Sequence, residues 1–200
     1  GVFYLRIEDT DKKREVENGV SGIVQGLQNF GIQIDEGMLT QTDSIGSYGP
    51  YTQSKRKDIY QAYCKAMVER GYAYPCFCTA EELDAVRKEQ EQSKKNPGYY
   101  GEFAKCRNLS YEEAEEKIKS GMPYVVRLKS PGSEDNRIKF TDAIKGEIEM
   151  PENVQDIVLL KTDGIPTYHF AHAIDDHLMG TTDVIRGDEW ISSAPIHLQL

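Results

Sequence analysis

The chain has 200 residues, 38% hydrophobic and 28% charged, enough for one large globular domain or two small ones. Its formal net charge of −9 argues against indiscriminate binding of polyanions, while leaving room for a local basic patch. No apolar run approaches the roughly 18 residues of a membrane helix, no signal-peptide pattern is present, and the four cysteines do not resemble a secreted disulfide framework, so a cytoplasmic location is expected.

The first stretch, Val2 to Ile7, is apolar except for Arg6 and reads as a short buried strand. Glu8, Asp9 and Asp11 follow at once, with Thr10 between them. Carboxylates at the carboxyl end of an α/β strand can meet a ligand. They can equally cap a following helix, and composition alone does not choose. Val16, Val20, Ile23, Val24, Leu27 and Phe30 then share one face of an amphipathic helix closed by Gly31. Asp35-Glu36-Gly37 and the run 43–50 read as irregular turns. Thr52 or Ser54 can cap a second helix with Ile59, Tyr60, Tyr63 and Met67 on its apolar face and Gly71 at its end. Its basic first turn, Lys55-Arg56-Lys57, opposes the helix dipole and fits a solvated face or a phosphate contact.

From Tyr72 the character changes. Tyr72 to Cys78 is strand-like and rich in aromatics and cysteine. Thr79…Glu82 and Ser110…Glu113 are capping boxes that open two polar helices, with a loop at 94–98 between them. Strands are expected at 125–128, within 138–149 and at 156–161, and Asp163-Gly164 makes a hairpin turn. The segment 72–163 thus reads as an α+β subdomain inserted between an α/β part at 1–71 and a second part at 164–200. In that last part His169 to Ile174 fits strand or helix, Asp183 to Arg186 reads as a strand, and Ile191 to Leu200 as a helix. The chain begins in a strand-like piece and stops in a helix-like one, so a window from a longer polypeptide is expected.

Three groups of residues carry chemistry. Cys76 and Cys78 could place two thiolates on zinc, with Cys106 and Tyr99 or Tyr100 completing the set, or could be half-buried free thiols on a strand. Tyr168, His169, His172, Asp175, Asp176 and His177 match no tight metal motif and fit a polar pocket better. Arg186, beside Gly187 and followed by Glu189 and Trp190, suits bidentate capture of a carboxylate or phosphate. No nucleophile–base motif and no phosphate-binding glycine loop appears. The acidic cluster and Arg186 could close one pocket on a zwitterionic ligand, with Glu8 on its ammonium and Arg186 on a carboxylate.

Five stretches resemble motifs of glutamyl-tRNA synthetases, in that family's order and spacing. They are Phe3 to Asp11, Gly49 to Ser54, Asp163 to His169, Asp175 to Gly180 and Val184 to Trp190. The resemblance implies a class I Rossmann-type catalytic domain split by a connective insertion that binds the tRNA acceptor stem. It implies activation of L-glutamate with ATP and Mg²⁺, then transfer to the 3′ end of tRNA(Glu), by a monomeric parent without membrane attachment. Glu8, Tyr168, His172 and Arg186 would bind glutamate, Glu189 and Trp190 would lie beside ATP, and Asp11 would face the tRNA. Some relatives carry asparagine at the position of His172. Zinc would sit on Cys76, Cys78, Tyr99 and Cys106, although the interval from Tyr99 to Cys106 is longer than the resemblance leads one to expect and Asn108 is a poor ligand. The family's H-I-G-H-type and K-M-S-K-S-type motifs are absent from this sequence, so no catalytic residue is assigned and the chain alone is expected to be inactive. The rival readings are a glutamyl-queuosine tRNA synthetase and a non-catalytic tRNA-binding module; a glutamine enzyme is disfavoured because Arg186 suits a carboxylate.

Overall fold

The computed structural model describes residues 1–10, 16 and 18–200. Asp11, the expected tRNA contact, lies outside the described residues.

The opening strand is real but short. β1 (Tyr4–Leu5) runs parallel to β2 (Glu36–Met38), which pairs antiparallel with β3 (Ser44–Ile45). The two later strands fall where irregular turns were expected. Gly37 suggested a turn, but its backbone instead lies against β1, where an added Cβ would strike the Leu5 carbonyl oxygen. Helix α1 (Gly19–Asn29) covers this sheet with Val20 and Val24, which join Met38, Tyr51 and Met179 in one core cluster. Its apolar face is narrower than expected, because Val16, Ile23 and Phe30 are exposed. The end is as expected: left-handed Gly31 donates to Gln28 O and Ile32 to Leu27 O, so the last carbonyls are satisfied by the turn itself.

A 3₁₀ turn, Gln53–Arg56, leads into α2 (Lys57–Glu69). Neither Thr52 nor Ser54 caps it with a side chain. Instead Asp9 Oδ1 accepts from Ser54 N–H at 2.8 Å, so Asp9 caps a turn distant in sequence. The second sheet is antiparallel, in the order β4 (Ala73–Cys76), β5 (Val125–Leu128), β8 (Val158–Leu160). A separate ribbon joins β6 (Arg137–Asp142) and β7 (Gly146–Pro151). Both capping boxes are formed, at the starts of α3 (Ala80–Gln92) and α4 (Tyr111–Lys119).

Residues 168–179 form a helix, α5 (Tyr168–Met179), and a 3₁₀ turn at Asp188–Ser193 precedes α6 (Ala194–Gln199). The expected strand at 183–186 belongs to no sheet; Val184 and Ile185 are exposed, and the segment is held through the Arg186 side chain. Tyr60 and Cys64 of α2 pack with Ala73, Leu128, Leu159 and Leu160 of the second sheet and Phe170, Ala171 and Ile174 of α5. This core runs across both expected subdomain boundaries, so the middle segment is anchored to its flanks by shared apolar burial.

Candidate functional site

The strand end positions Glu8. Ile7 N–H donates to Tyr51 O at 2.8 Å and Ile7 O accepts from Gln53 N–H at 3.0 Å, so the backbone just before Glu8 is fixed on the Gly-Pro-Tyr loop. Arg186 arrives from the other end of the chain. Its Nη2 donates to Glu8 Oε1 at 2.6 Å and its Nη1 to Oε2 at 3.2 Å, a forked pair. Burial works against the guanidinium charge, and Glu8 more than restores it, leaving Arg186 raised.

Helix α5 supplies the floor. Tyr168, His172 and Asp176 are four residues apart and fall on one face. His172 Nε2 lies 3.1 Å from Asp176 Oδ2, while its Nδ1 lies 3.1 Å from Arg186 Nη2 and 3.2 Å from Arg6 Nη2. Two guanidinium donors on Nδ1 and a carboxylate on Nε2 specify a neutral ring protonated at Nε2. Burial, then the nearby Arg186, His197 and Arg6, push His172 down to about 3, which agrees. Arg6 Nη2 also lies 2.5 Å from Asp176 Oδ1, an ion pair without hydrogen-bond alignment. Burial raises Asp176 against the pull of Arg6.

The Tyr168 ring stacks flat on His172, with centroids 5.7 Å apart and 6° between planes. It also meets Trp190 at 4.4 Å and lies 5.0 Å beneath the Arg186 guanidinium. Tyr168 Oη and Arg186 Nε are buried without a hydrogen-bond partner. Both residues line an open cleft of about 1510 Å³ with Arg6, Glu8, Asp176 and Trp190. Glu189 is exposed, and its carboxylate folds back over Gly187 where a Cβ would stand, so of the expected nucleotide pair only Trp190 faces the cleft.

The six polar residues that the sequence grouped at 168–177 separate onto different faces. Asp175 is fully buried away from the cleft. It accepts from Arg56 Nε at 2.8 Å, Tyr60 Oη at 2.8 Å and Gln53 Nε2 at 3.3 Å. Arg56 is therefore an internal strut, neither a solvated charge nor a phosphate contact. His177 lies edge-on to Tyr63. His169 Nδ1 meets His197 Nε2 at 3.0 Å. Arg6 and His197 were not singled out from the sequence, and Asp176 was grouped with the polar pocket without a role of its own. The four-residue spacing of Tyr168, His172 and Asp176 is the signal that could have separated Asp176 from Asp175.

The cysteine group forms a second site. The Sγ atoms of Cys76, Cys78 and Cys106 lie within 4.8 Å of one another, and Tyr99 Oη is 3.3 Å from Cys76 Sγ and 3.2 Å from Cys78 Sγ. Cys78 and Cys106 are 3.7 Å apart, close to the edge of about 3.8 Å in a tetrahedron of zinc–sulfur bonds of about 2.3 Å. The long interval after Tyr99 is taken up by two 3₁₀ turns, Gly101–Phe103 and Lys105–Asn108, which bring Cys106 back. The neighbouring Cys106 thiol holds Cys76 well below the ordinary thiol range despite its burial, and Cys76 in turn pushes Cys106 up. Such a donor set fits zinc.

The family model for class I tRNA synthetases (E and Q), catalytic domain, matches residues 1–200. The chain belongs to this family. It is 58% identical over 200 residues to a glutamate–tRNA ligase of Clostridium beijerinckii, covering 100% of this chain and 36% of that protein. It is 56% identical over 200 residues to one from Clostridium perfringens, covering 100% of this chain and 37% of the relative. Among solved structures, a glutamate tRNA ligase of Elizabethkingia meningosepticum in complex with its amino acid has 40% identity and a TM-score of 0.83, over 99% of this chain and 39% of that one. A glutamate–tRNA synthetase of Elizabethkingia anophelis has 41% identity and a TM-score of 0.85, over 99% and 40%. The class I synthetase chain therefore spans little more than a third of the length of these relatives. The fold class expected from the sequence, an α/β class I catalytic domain, holds, and among the described residues no helix is long and apolar enough to cross a membrane.

Proposed function

We propose that this chain is the amino-acid-binding part of a glutamate–tRNA ligase, which activates L-glutamate with ATP to glutamyl-adenylate and passes it to the 3′ end of tRNA(Glu). One observation carries the reading. The Glu8–Arg186 fork stands in an open cleft beside two buried polar atoms without partners, Tyr168 Oη and Arg186 Nε. Buried polar groups are normally satisfied, and such orphans fit a ligand that completes them. A zwitterionic dicarboxylate exchanges one ion pair for two: its ammonium goes to Glu8 and its side-chain carboxylate to Arg186, with Tyr168 alongside. Arg186 only donates, so it rewards a carboxylate over an amide. Arg186 and Glu8 must part to admit the ligand. The segment 181–187, tied into no sheet, can accommodate this.

Trp190, with Glu189 on the same turn, would flank the adenosine of ATP, and Lys55 and Lys161 face the same cleft. Magnesium bound with ATP neutralises charge on the phosphates. The chain's own part is to hold the glutamate α-carboxylate in line for displacement, with no protein nucleophile. The segment 72–163 is proposed as the acceptor-stem-binding insertion, with Cys76, Cys78, Tyr99 and Cys106 holding zinc as a structural clip at its base. Asp11 is proposed to face the tRNA.

The test is glutamate-dependent ATP–pyrophosphate exchange in the full-length enzyme that carries this chain. Arg186→Ala should lower kcat/KM for glutamate by the roughly 2–5 kcal/mol of a truncated charge pair. A change of less than about tenfold would remove Arg186 from the glutamate site and with it this reading.

A further inference from the structure

Glutamate binding as proposed above leaves a question of support. Glu8 is the strongest partner of Arg186, yet it must release Arg186 when it takes the ammonium. Something else has to keep the guanidinium aimed. Among the described residues the remaining polar partner is His172 Nδ1, 3.1 Å from Arg186 Nη2, beneath the Tyr168 ring. The resemblance puts His172 among the glutamate contacts, but its ring is buried and does not line the cleft, so it stands behind Arg186 instead. It can hold an arginine only through an unprotonated Nδ1, and its ring is fixed from behind. Nε2 is 3.1 Å from Asp176 Oδ2, and Asp176 Oδ1 is paired with Arg6 Nη2 at 2.5 Å. Arg6 Nη2 also leans on the same Nδ1 at 3.2 Å, so a protonated ring would face two cations.

We infer that Arg6, Asp176 and His172 form a positioning relay for Arg186, and that this relay sets affinity and selectivity for an acidic amino acid. Asp176 fixes the ring with its proton on Nε2. His172 offers its Nδ1 lone pair to Arg186. Arg6 neutralises Asp176 and blocks the opposite tautomer. His172 acts from behind Arg186, outside the cleft lining, and Arg6 and Asp176 hold it from the cleft's edge. The inference rests on the glutamate-pocket reading and adds the residues that make Arg186 competent once Glu8 lets go.

The geometry gives a selective test. In a histidine side chain Nδ1 occupies nearly the place of an asparagine amide oxygen, and Nε2 nearly that of a glutamine amide. In the full-length enzyme, His172→Ala should raise the glutamate KM at least tenfold in pyrophosphate exchange, with the ATP KM within about twofold. His172→Asn should return the glutamate KM to within about threefold of the parent, because its oxygen can take Nδ1's place. His172→Gln, which replaces the wrong end of the ring, should not. Asp176→Asn keeps the shape of its side chain and should raise the glutamate KM at least threefold; it serves if His172→Ala does not fold. An unchanged glutamate KM in both His172→Ala and Asp176→Asn overturns the relay, as does equal recovery by Asn and Gln. Arg186→Ala separates the two levels. If it too leaves the glutamate KM unchanged, the pocket reading has failed; if it alone raises KM, only the relay has.

Discussion

Asp175 and Asp176 are adjacent on α5 and do opposite work. Asp175 is fully buried and saturated: Arg56, Tyr60 and Gln53 all donate to it, and Arg56 continues to the carbonyls of Tyr48 and Pro50. Among the described residues, Gln53 Oε1 is the atom left without a partner on that side. Asp176 borders the cleft, one of its oxygens lacks an aligned donor, and Tyr168 and Arg186 nearby each keep a buried orphan atom. A saturated buried carboxylate is a strut. A carboxylate among unsatisfied neighbours belongs to a place where something binds. The same helix turn therefore divides architecture from recognition, and the two aspartates should respond differently to substitution.

The largest expected effect is on Asp175. Asp175→Ala leaves the buried Arg56 guanidinium without its counter-charge and should cost roughly 3–5 kcal/mol of folding stability, read by chemical denaturation. Asp176→Asn should cost far less stability while affecting glutamate KM. Equal stability losses would break the comparison.

The cysteine group tests it from outside α5, because there three thiols and a phenol are gathered beside the Arg127 guanidinium. Zinc at about 100 times its Kd stabilises by about 2.7 kcal/mol, so chelation should lower Tm by roughly 5–10 °C. Metal analysis should find one zinc per chain, lost in Cys78→Ser. A zinc-free protein with an unchanged melt after chelation would return these residues to the role of buried free thiols.

What could be read in the sequence follows the range of the interaction. Capping boxes at Thr79 and Ser110, the Gly31 helix stop and the Asp163-Gly164 turn depend on residues within a few positions, and each is formed. The acidic cluster and Arg186 were legible as two candidate ends of one pocket from their opposite charge, although the strand expected before Arg186 is not formed. Their contact spans 178 positions, and the forked geometry could not be read in advance. Gly37 misled because a glycine required by a close backbone neighbour looks like a glycine required by a turn. Arg56 misled because a basic first turn looks solvated unless Asp175 is known to lie behind it. Arg6 read only as an interruption in an apolar strand, since its partner Asp176 belongs to a helix at the far end of the chain.

Acid should separate the two faces next. Burial lowers His172 to about 3 and His197 to about 4, and lowers His169 as well. The unfolded chain takes up these protons from about pH 6.5 downward, before the folded chain does. Their contribution is therefore complete above about pH 6.5 and is lost as pH falls toward the folded values. His172 and His197 each add about 1.4 kcal/mol per pH unit to the slope of stability within that window. His172→Asn should flatten the slope between pH 6 and 5 by about that amount, measured by urea denaturation at each pH. Parallel slopes would mean that His172 is already charged in the folded protein, which two guanidinium donors on one nitrogen forbid.

The smallest effect is the most discriminating. Tyr168→Phe removes one oxygen atom and leaves the ring between His172, Trp190 and Arg186. If Tyr168 Oη belonged to the architecture, its loss would cost the usual net worth of a hydrogen bond, about 0.5–1.5 kcal/mol of stability. It has no partner in the ligand-free protein, so removing it should leave folding unchanged or slightly improved, since a buried hydroxyl without a partner is itself a cost. The loss should appear only with glutamate present, as a KM increase of roughly 2- to 12-fold, equivalent to that same hydrogen bond made to the ligand. Reduced stability with an unchanged KM would place Tyr168 with Asp175 on the structural side of α5. Unchanged stability with a raised KM would locate the ligand against a buried hydroxyl that the folded chain leaves unmatched.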